Sequence, residues 1–288
     1  MSALAAIARS FGAAADHYDQ HARLQRDVAD TLGTLLPTEL APATCIDLGC
    51  GTGYCSALLQ ERFPESTLVS LDLSLPMLEQ TRARALDAAL LCADACHLPL
   101  RDNCAALIFS SLAIQWATDP QALFAELARV LEPGGTALLS SFGPATLQEL
   151  RLAWAAVDEH QHVNRFVPLP LLQTAAQEAG LQCRIERELR YEYHDSLATL
   201  SRALKAIGAQ QLNGVRRSGL TTPRSFRRAD ARFMEMAEAG EDEGSRGVPV
   251  TWELYYLHLQ KPAIQPDPGQ FSLEKHNSDE PQKTDASA

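Results

Sequence analysis

Short apolar runs alternate with stretches of helical periodicity between residues 44 and 142. Five of these runs have the length and composition of buried strands, namely TCIDL, TLVSLD, ALLCAD, CAALIFSSLAI and TALLSSF. Helical patterns separate most of them. In one, Asp119 precedes Pro120 as at a helix start, and EPGG predicts the helix end. This alternation is typical of a parallel sheet covered by helices.

The segments on either side of this core have other patterns. Residues 3–36 predict one or two helices, ended by Pro37. After residue 142 the pattern is largely helical, with weaker strand signals near 181–193 and a last strong strand, TWELYYLHL, at 251–259. We interpret the stretch between residue 142 and this last strand in two parts, one that completes the sheet and one that is an insertion.

A division of the chain follows from these patterns. We expect an N-terminal helical cap, a sheet core, a core completion with a helical cap, a closing strand and a polar tail, at residues 1–40, 41–142, 143–250, 251–262 and 263–288. The tail is rich in Pro, Asp and Ser and carries too little apolar surface to order itself, so we expect it to be disordered.

Composition narrows the class of protein. Hydrophobic residues make up 46% and charged residues 21% of the chain, as in ordinary globular proteins. The net charge of −11 argues against nucleic-acid binding. No apolar run is long enough for a membrane span, and the first residues do not resemble a signal peptide. Seven cysteines without a CxxC pair indicate reduced thiols and no metal site, so a cytoplasmic protein is expected.

One segment departs from this acidic average. Residues 202–232 contain eight basic residues against Asp230 alone, a local charge of +7. The basic residues are Arg202, Lys205, Arg216, Arg217, Arg224, Arg227, Arg228 and Arg232.

A glycine-rich loop follows the first predicted strand. Gly49, Gly51 and Gly53 stand at alternate positions in CIDLGCGTGYCSALL, where residues without Cβ allow a tight turn and close approach of a ligand. The spacing is GxGxG, not the GxGxxG of dinucleotide sites, and the Gly-Lys-Ser/Thr ending of a phosphate loop is missing. A dinucleotide, a phosphate and S-adenosylmethionine (SAM) remain the alternatives for this loop.

Acidic residues at the strand ends favour SAM. Asp72 ends the second strand, where a carboxylate can accept both ribose hydroxyls, and Asp94 ends the third, near an adenine amino group. Asp47 suits the ammonium group of an amino acid better than a phosphate. We assign Leu73 and Ala95, beside these acids, to the same cofactor site.

The core motifs IDLGCGTG, SLDLS, CADA, LIFSSLAIQW and RVLEPGGTALLSSF resemble class I SAM-dependent methyltransferases in order and spacing. This resemblance implies a doubly wound, mostly parallel, seven-stranded Rossmann-like α/β sheet whose last strand, TWELYYLHL, is antiparallel.

The flanks are similar to those of malonyl-[acyl-carrier protein] O-methyltransferases of biotin synthesis (BioC type). The matching stretches are FGAAADHYDQHARLQRDVADTL, AIQW, HVNRF, RALKAIGAQ, RRSGLT and VPVTWELYY, and the tail from Ala263 has no counterpart. The resemblance implies that SAM methylates the free carboxylate of a malonyl thioester, and that the ester masks this charge so that fatty-acid enzymes can extend the chain toward pimeloyl thioester.

The implied reaction needs a cation more than a base. A carboxylate is already ionised at neutral pH, but it must be held in line with the methyl–sulfur bond. An arginine fork suits a carboxylate best. Arg165 in HVNRF is the first candidate, and Arg151 is the reserve.

Other residues are expected around the reaction centre. Tyr18 and Gln25 are predicted to close over SAM and the reacting group, and Gln115 and Trp116 to line the centre after the fourth strand. Arg165, Tyr18 and Gln115 are the predicted catalytic residues. His17 and His21 are expected on a helix face.

The basic segment 202–232 is expected to dock the acidic carrier protein. Two alternatives remain. One is a methyltransferase acting on another small organic acid or a quinone precursor, and the other is a catalytically silent carrier-protein-binding module. Nucleic-acid methylation is disfavoured because SLAIQW stands where an Asn/Asp-Pro-Pro-Tyr/Phe motif would follow the fourth strand. We expect a monomer.

Overall fold

The computed structural model describes residues 3–209, 222–239 and 246–263, and its strands form one continuous sheet. The strands are β1 (Thr44–Leu48), β2 (Thr67–Asp72), β3 (Ala88–Cys92), β4 (Ala105–Ser110), β5 (Leu131–Phe142), β6 (Gln182–His194), β7 (Glu238–Ala239) and β8 (Arg246–Gln260). Seven of them follow the order β3-β2-β1-β4-β5-β8-β6, and β7 pairs with β8 alone.

The sheet has the predicted doubly wound topology. Strands β1 to β5 pair in parallel, whereas β8 runs antiparallel to both β5 and β6. The predicted closing strand is therefore confirmed, although it begins at Arg246 instead of residue 251. The weaker signals near 181–193 belong to β6, a long edge strand with alternating exposure. The Rossmann-like fold class is confirmed.

Helices cover both faces of the sheet because each presents one apolar side to it. They are α1 (Ala3–Ala14), α2 (Tyr18–His21), α3 (Arg23–Thr34), α4 (Tyr54–Arg62), α5 (Leu75–Ala83), α6 (Pro120–Val130), α7 (Gln148–Ala155), α8 (Leu169–Glu178), α9 (Leu197–Ala206) and α10 (Pro223–Met234). As predicted, Asp119 caps α6, accepting from the backbone N–H of Ala122 at 3.1 Å. Two buried apolar clusters result, one on each face of the sheet.

The N-terminal region is more broken than the one or two helices predicted. A 3-10 turn at Ala15–His17 separates α1 from α2, and Ala22, at φ −87° and ψ 42°, separates α2 from α3. This non-helical residue lets the chain bend over the carboxyl ends of β1 and β4. Tyr18 and Gln25 thereby lie on two short segments that face the sheet edge, which one straight helix could not achieve.

The cap consists of α7, α9 and α10, with α10 packed against both others. Arg216 and Arg217, two of the predicted docking residues, lie outside the described residues, as does the predicted tail from residue 264 onward. In the part of the chain that the structure describes, no helix is long and apolar enough to cross a membrane.

Candidate active site

The glycine loop after β1 owes its sequence to two different requirements. Gly49, Gly51 and Gly53 all have positive φ, at +74°, +55° and +85°. A Cβ on Gly49 would lie 2.3 Å from the Cβ of Ala113, and one on Gly53 would lie 2.9 Å from Thr81 Cγ2. A Cβ on Gly51 would meet nothing within 4 Å. Gly49 and Gly53 therefore serve packing, whereas Gly51 leaves open space beside the backbone.

Asp72 is fixed by two backbone donors at the carboxyl end of β2. Its Oδ2 accepts from the N–H of Gly51 at 2.9 Å, and its Oδ1 accepts from the N–H of Ser74 at 2.8 Å. Burial raises the pKa of this carboxyl above its ordinary value. Each oxygen keeps a second lone pair. Asp72 can therefore accept two ribose hydroxyls without giving up its own structural bonds.

Asp47 lies beneath the loop with an unmet hydrogen-bonding need. Its side chain is fully buried, and Oδ2 accepts from Ser56 Oγ at 2.6 Å. Oδ1 is buried and has no partner among the described residues. Burial raises the pKa of Asp47 to about 7. A cationic or donating group on the ligand side would stabilise this carboxylate.

The strand ends border a cleft with about 800 Å³ of empty space, which includes its open mouth. Leu73, Asp94 and Ala95 line it together with Gly49, Gly51 and Asp72. Asp94 is held through Oδ1, which accepts from the N–H of Cys96 at 3.0 Å. The wall of the cleft that α1 forms is apolar and consists of Leu4, Ile7, Ala8 and Phe11.

A smaller cleft continues over the glycine loop. Tyr18, Gln25, Arg26, Gly51 and Ser111 are among its lining residues. Gln25 thus lies beside the loop and not in the larger cleft, and Gly53 lines neither cleft.

The two clefts together fit SAM. The carboxylate of Asp72 and the apolar wall suit adenosine, and the open space at Gly51 leaves room for an amino acid group. Asp47 is fully buried and lines neither cleft, so its contact with the ammonium group stays a prediction.

A second cavity adjoins the cleft at the strand ends and shares Phe11, Tyr18, Leu112 and Trp116 with it. Its empty space of about 1190 Å³ includes its open mouth. Phe11 and Trp116 meet edge to face, with ring centroids 5.1 Å apart. The polar residues of its otherwise apolar lining are Tyr18, Gln25, Gln115, His162, Asn164, Ser201 and Lys205. An amphipathic substrate could therefore reach the cofactor cleft from the cap side.

Two polar side chains lie near the place where the cofactor cleft and the second cavity meet. Burial, and then the charge of Asp72, raise the pKa of Tyr18 above its ordinary value, so its hydroxyl remains a donor at neutral pH. Gln115 donates from Nε2 to the carbonyl oxygen of Leu112 at 2.6 Å, and its Oε1 is buried without a partner among the described residues. The structure thus brings these two predicted catalytic residues to the same cavity.

The predicted role of Arg165 as the carboxylate clamp gains no support from this cavity and stays a prediction. Its side chain is exposed and does not line the cavity, although Asn164 and Phe166 on either side do. The segment that contains it is non-helical. Arg151, the reserve, also lies outside the lining and donates from Nη2 to the carbonyl oxygens of Pro144 at 3.0 Å and Thr146 at 3.1 Å.

The cavity also contains residues to which the sequence analysis gave no role in binding the substrate. His162 and Trp154 come from the cap, and Lys205 lies where the cavity meets a surface groove. That groove is lined by His17, His21, Arg202 and Lys205 with no acidic residue among its described lining. His162 belongs to the stretch HVNRF, and Arg202 and Lys205 belong to RALKAIGAQ, but neither stretch shows that these side chains meet. They come together only through packing of the cap on the N-terminal helices.

Comparison with known proteins agrees with this geometry. A family model described as "Methyltransferase domain" matches residues 46–139. The malonyl-[acyl-carrier protein] O-methyltransferase of Dechloromonas aromatica is 39% identical over 258 residues, which cover 89% of this chain and 94% of that protein. The biotin biosynthesis bifunctional protein BioHC of Cellvibrio japonicus is 42% identical over 89% of this chain, which spans only 50% of that protein.

Solved structures support the fold. A proposed methyltransferase of Bacillus halodurans matches with a TM-score of 0.59 at 14% identity, covering 82% of this chain and all of that one. The YcgJ protein of Bacillus subtilis matches with a TM-score of 0.58 at 14% identity, covering 81% of this chain and 98% of that one. The sequence relationship and the fold together show that the chain belongs to the malonyl-[acyl-carrier protein] O-methyltransferase family of SAM-dependent methyltransferases.

Proposed function

We propose that this chain transfers the methyl group of SAM to the free carboxylate of a malonyl thioester on an acyl carrier protein, and that the methyl ester enters biotin synthesis. The observation that carries the proposal is the pair of cavities joined at Tyr18 and Trp116. One suits SAM, and the other is lined mainly by apolar residues with a few polar groups, as a short acyl thioester on a flexible arm requires.

Methyl transfer requires little of the protein beyond binding SAM and the substrate carboxylate and aligning them. Bound SAM supplies an electrophilic methyl group on a sulfonium. Asp72 and the glycine loop would hold the cofactor at the strand ends, and the Tyr18 hydroxyl, which lines both cavities, could donate a hydrogen bond where they meet. Phe11 and Trp116 exclude water from the same place, which strengthens the electrostatic interactions of the reacting groups. The carboxylate is ionised at neutral pH, so no general base is needed.

The basic cap is the proposed docking surface for the carrier protein. Arg202 and Lys205 line the groove at the cavity mouth, and Arg224, Arg227 and Arg228 are exposed on α10. An acidic partner would be steered to this surface and held with its acyl arm near the mouth. A reaction that uses SAM and a carrier protein fits the cytoplasm, and a monomer stays a prediction.

A substrate comparison tests the proposal against its alternatives. The purified chain and SAM are incubated with malonyl-carrier protein, acetyl-carrier protein, free malonate and a phenolic quinone precursor. We expect methyl transfer to malonyl-carrier protein, with no transfer to the acetyl form because it lacks the carboxylate.

Equal or faster turnover of free malonate or of the phenol would support a small-molecule methyltransferase instead. If no substrate is methylated, calorimetry with SAM distinguishes a missing substrate from a silent module, since a silent module that has lost its cofactor site would not bind SAM.

A further inference from the structure

Asp158 and His162 form a pair in the loop after α7, and His162 lines the second cavity. The Nε2 of His162 lies 2.8 Å from Asp158 Oδ1, and the two side chains are only 14% and 18% exposed. The imidazole also stacks on the indole of Trp154, with centroids 4.1 Å apart and an interplanar angle of 7°. The ring is therefore fixed both in its plane and in its rotation.

Its remaining nitrogen is available to a ligand. His162 and Trp154 both line the cavity, and Nδ1 has no hydrogen-bond partner among the described residues. Burial opposes ionisation of Asp158, but hydrogen bonds from the His162 ring and the His160 backbone lower the pKa of Asp158 below its ordinary value. The ionised Asp158 thus accepts from Nε2–H, which orients Nδ1 toward other partners.

The cavity contains few alternatives for binding an anion. Among the described lining residues, His162 and Lys205 are the basic ones, and Lys205 is an exposed residue that also lines the surface groove. Arg165 is exposed and does not line the cavity. His162 is the basic group held within the apolar part.

We propose that His162, oriented by Asp158 and Trp154, binds the substrate carboxylate during methyl transfer. The inference rests on the proposed function. A carboxylate beside Nδ1 favours the protonated imidazole, because an opposite charge at close range stabilises the charged form. The imidazolium then donates one hydrogen bond to Asp158 and one to the substrate. Asp158 and Trp154 act as positioning residues.

The same contact accounts for product release. During transfer a carboxylate oxygen forms a bond to the methyl carbon as the methyl–sulfur bond breaks, and S-adenosylhomocysteine leaves with the sulfur electron pair. No proton is transferred in this step. The ester is uncharged and loses the ionic part of its interaction with His162, so the site binds substrate more tightly than product.

The test compares ligands with and without the carboxylate. Binding of malonyl- and acetyl-carrier protein, both kinetic constants and SAM affinity are measured for His162→Phe, His162→Gln and Asp158→Asn. Phenylalanine keeps the stack on Trp154 but has no nitrogen, and glutamine keeps a donor but no charge. His160→Gln, an exposed neighbour in the same loop, is the matched control.

We expect wild-type protein to bind the malonyl form at least tenfold more tightly than the acetyl form. His162→Phe should abolish this preference and raise KM for the malonyl form at least tenfold, with SAM affinity within about twofold. His162→Gln and Asp158→Asn should show smaller losses of the same kind, and His160→Gln none.

Two results would overturn the inference, namely a wild-type-like preference in His162→Phe or equal loss of both carrier forms in every folded His162 variant. Absence of wild-type methylation would instead contradict the proposed function, and the binding preference would still be measurable in that case.

Discussion

The backbone N–H of Gly51 donates a 2.9 Å hydrogen bond to Asp72 Oδ2 and so links the glycine loop after β1 to the carboxyl end of β2. The second carboxylate oxygen accepts from Ser74 at the start of α5. The residue expected to hold the ribose therefore also holds the loop beside which the rest of the cofactor would lie. Loss of Asp72 should affect both.

Replacement of Asp72 by alanine should weaken SAM binding by roughly 1 to 3 kcal/mol, the contribution of hydrogen bonds to a charged acceptor. Amide hydrogen exchange in the loop 49–53 should accelerate as well, because the N–H of Gly51 loses its partner. Isothermal titration calorimetry measures the first effect. Unchanged affinity in a folded variant would remove Asp72 from the cofactor site.

Two alanine substitutions in the same loop should have different consequences. Both positions have positive φ, which costs a non-glycine residue about 1 kcal/mol or more. Gly51→Ala should lose little stability beyond that cost but bind SAM at least tenfold more weakly, because its Cβ enters the open space. Gly49→Ala should lose more stability, because its Cβ would lie 2.3 Å from that of Ala113.

Urea denaturation and SAM titration of both variants check this contrast. Gly51→Ala protein that binds SAM normally would show that the ligand does not pass over this residue.

Asp47 should make the cofactor-free protein less stable as pH rises. Burial raises its pKa from 3.8 to about 7 in the folded state, so between these values the folded chain keeps a proton that the unfolded chain has lost. The stability contribution is therefore lost across this window, by at most about 1.4 kcal/mol for each pH unit. The Asn side chain of Asp47→Asn does not titrate in this window. The free energy of unfolding of this variant should therefore increase relative to that of wild type between pH 5 and pH 8.

Chemical denaturation at both pH values without SAM measures the difference between the two proteins. A difference that is independent of pH would show that Asp47 does not titrate in this window. If Asp47 contacts the ammonium group, SAM should bind Asp47→Asn more weakly at pH 8, because the variant lacks the negative charge.

Much of the cofactor half could be predicted because it depends on local sequence. A buried run that ends in an acid places Asp72 at a strand end, and the spacing of Gly49 and Gly51 fixes the turn. The position of Arg165 relative to the cavity could not be predicted, because side-chain direction in an irregular segment depends on its neighbours in space. The contacts of His162 could not be predicted for the same reason, because Asp158 and Trp154 are placed around it by packing of the cap.

The basic cap should control encounter with the carrier protein and not the chemistry. Changing Arg224, Arg227 and Arg228 together to Glu should slow association at least tenfold at low salt and flatten its salt dependence, since surface charges act over about 10 Å. SAM affinity and turnover of a small malonyl thioester should be retained.

The control variant changes Arg62, Arg82 and Arg101 to Glu, since these residues are exposed and lie outside segment 202–232. Stopped-flow association kinetics with malonyl-carrier protein at several salt concentrations make the comparison. Equal slowing by both triple variants would indicate a general effect of net charge, and equal loss on carrier and small thioester would mean that α10 shapes the active site.

The site of methylation tests the account most directly. Intact-mass and fragment mass spectrometry of malonyl-carrier protein, after incubation with the purified chain and SAM, gives both the number and the position of added methyl groups. We predict one methyl group per malonyl unit, carried as a base-labile ester on its terminal carboxylate, and none on acetyl-carrier protein. Methylation at the central carbon of the malonyl group, on a carrier side chain or equally on both carriers would contradict carboxylate methylation.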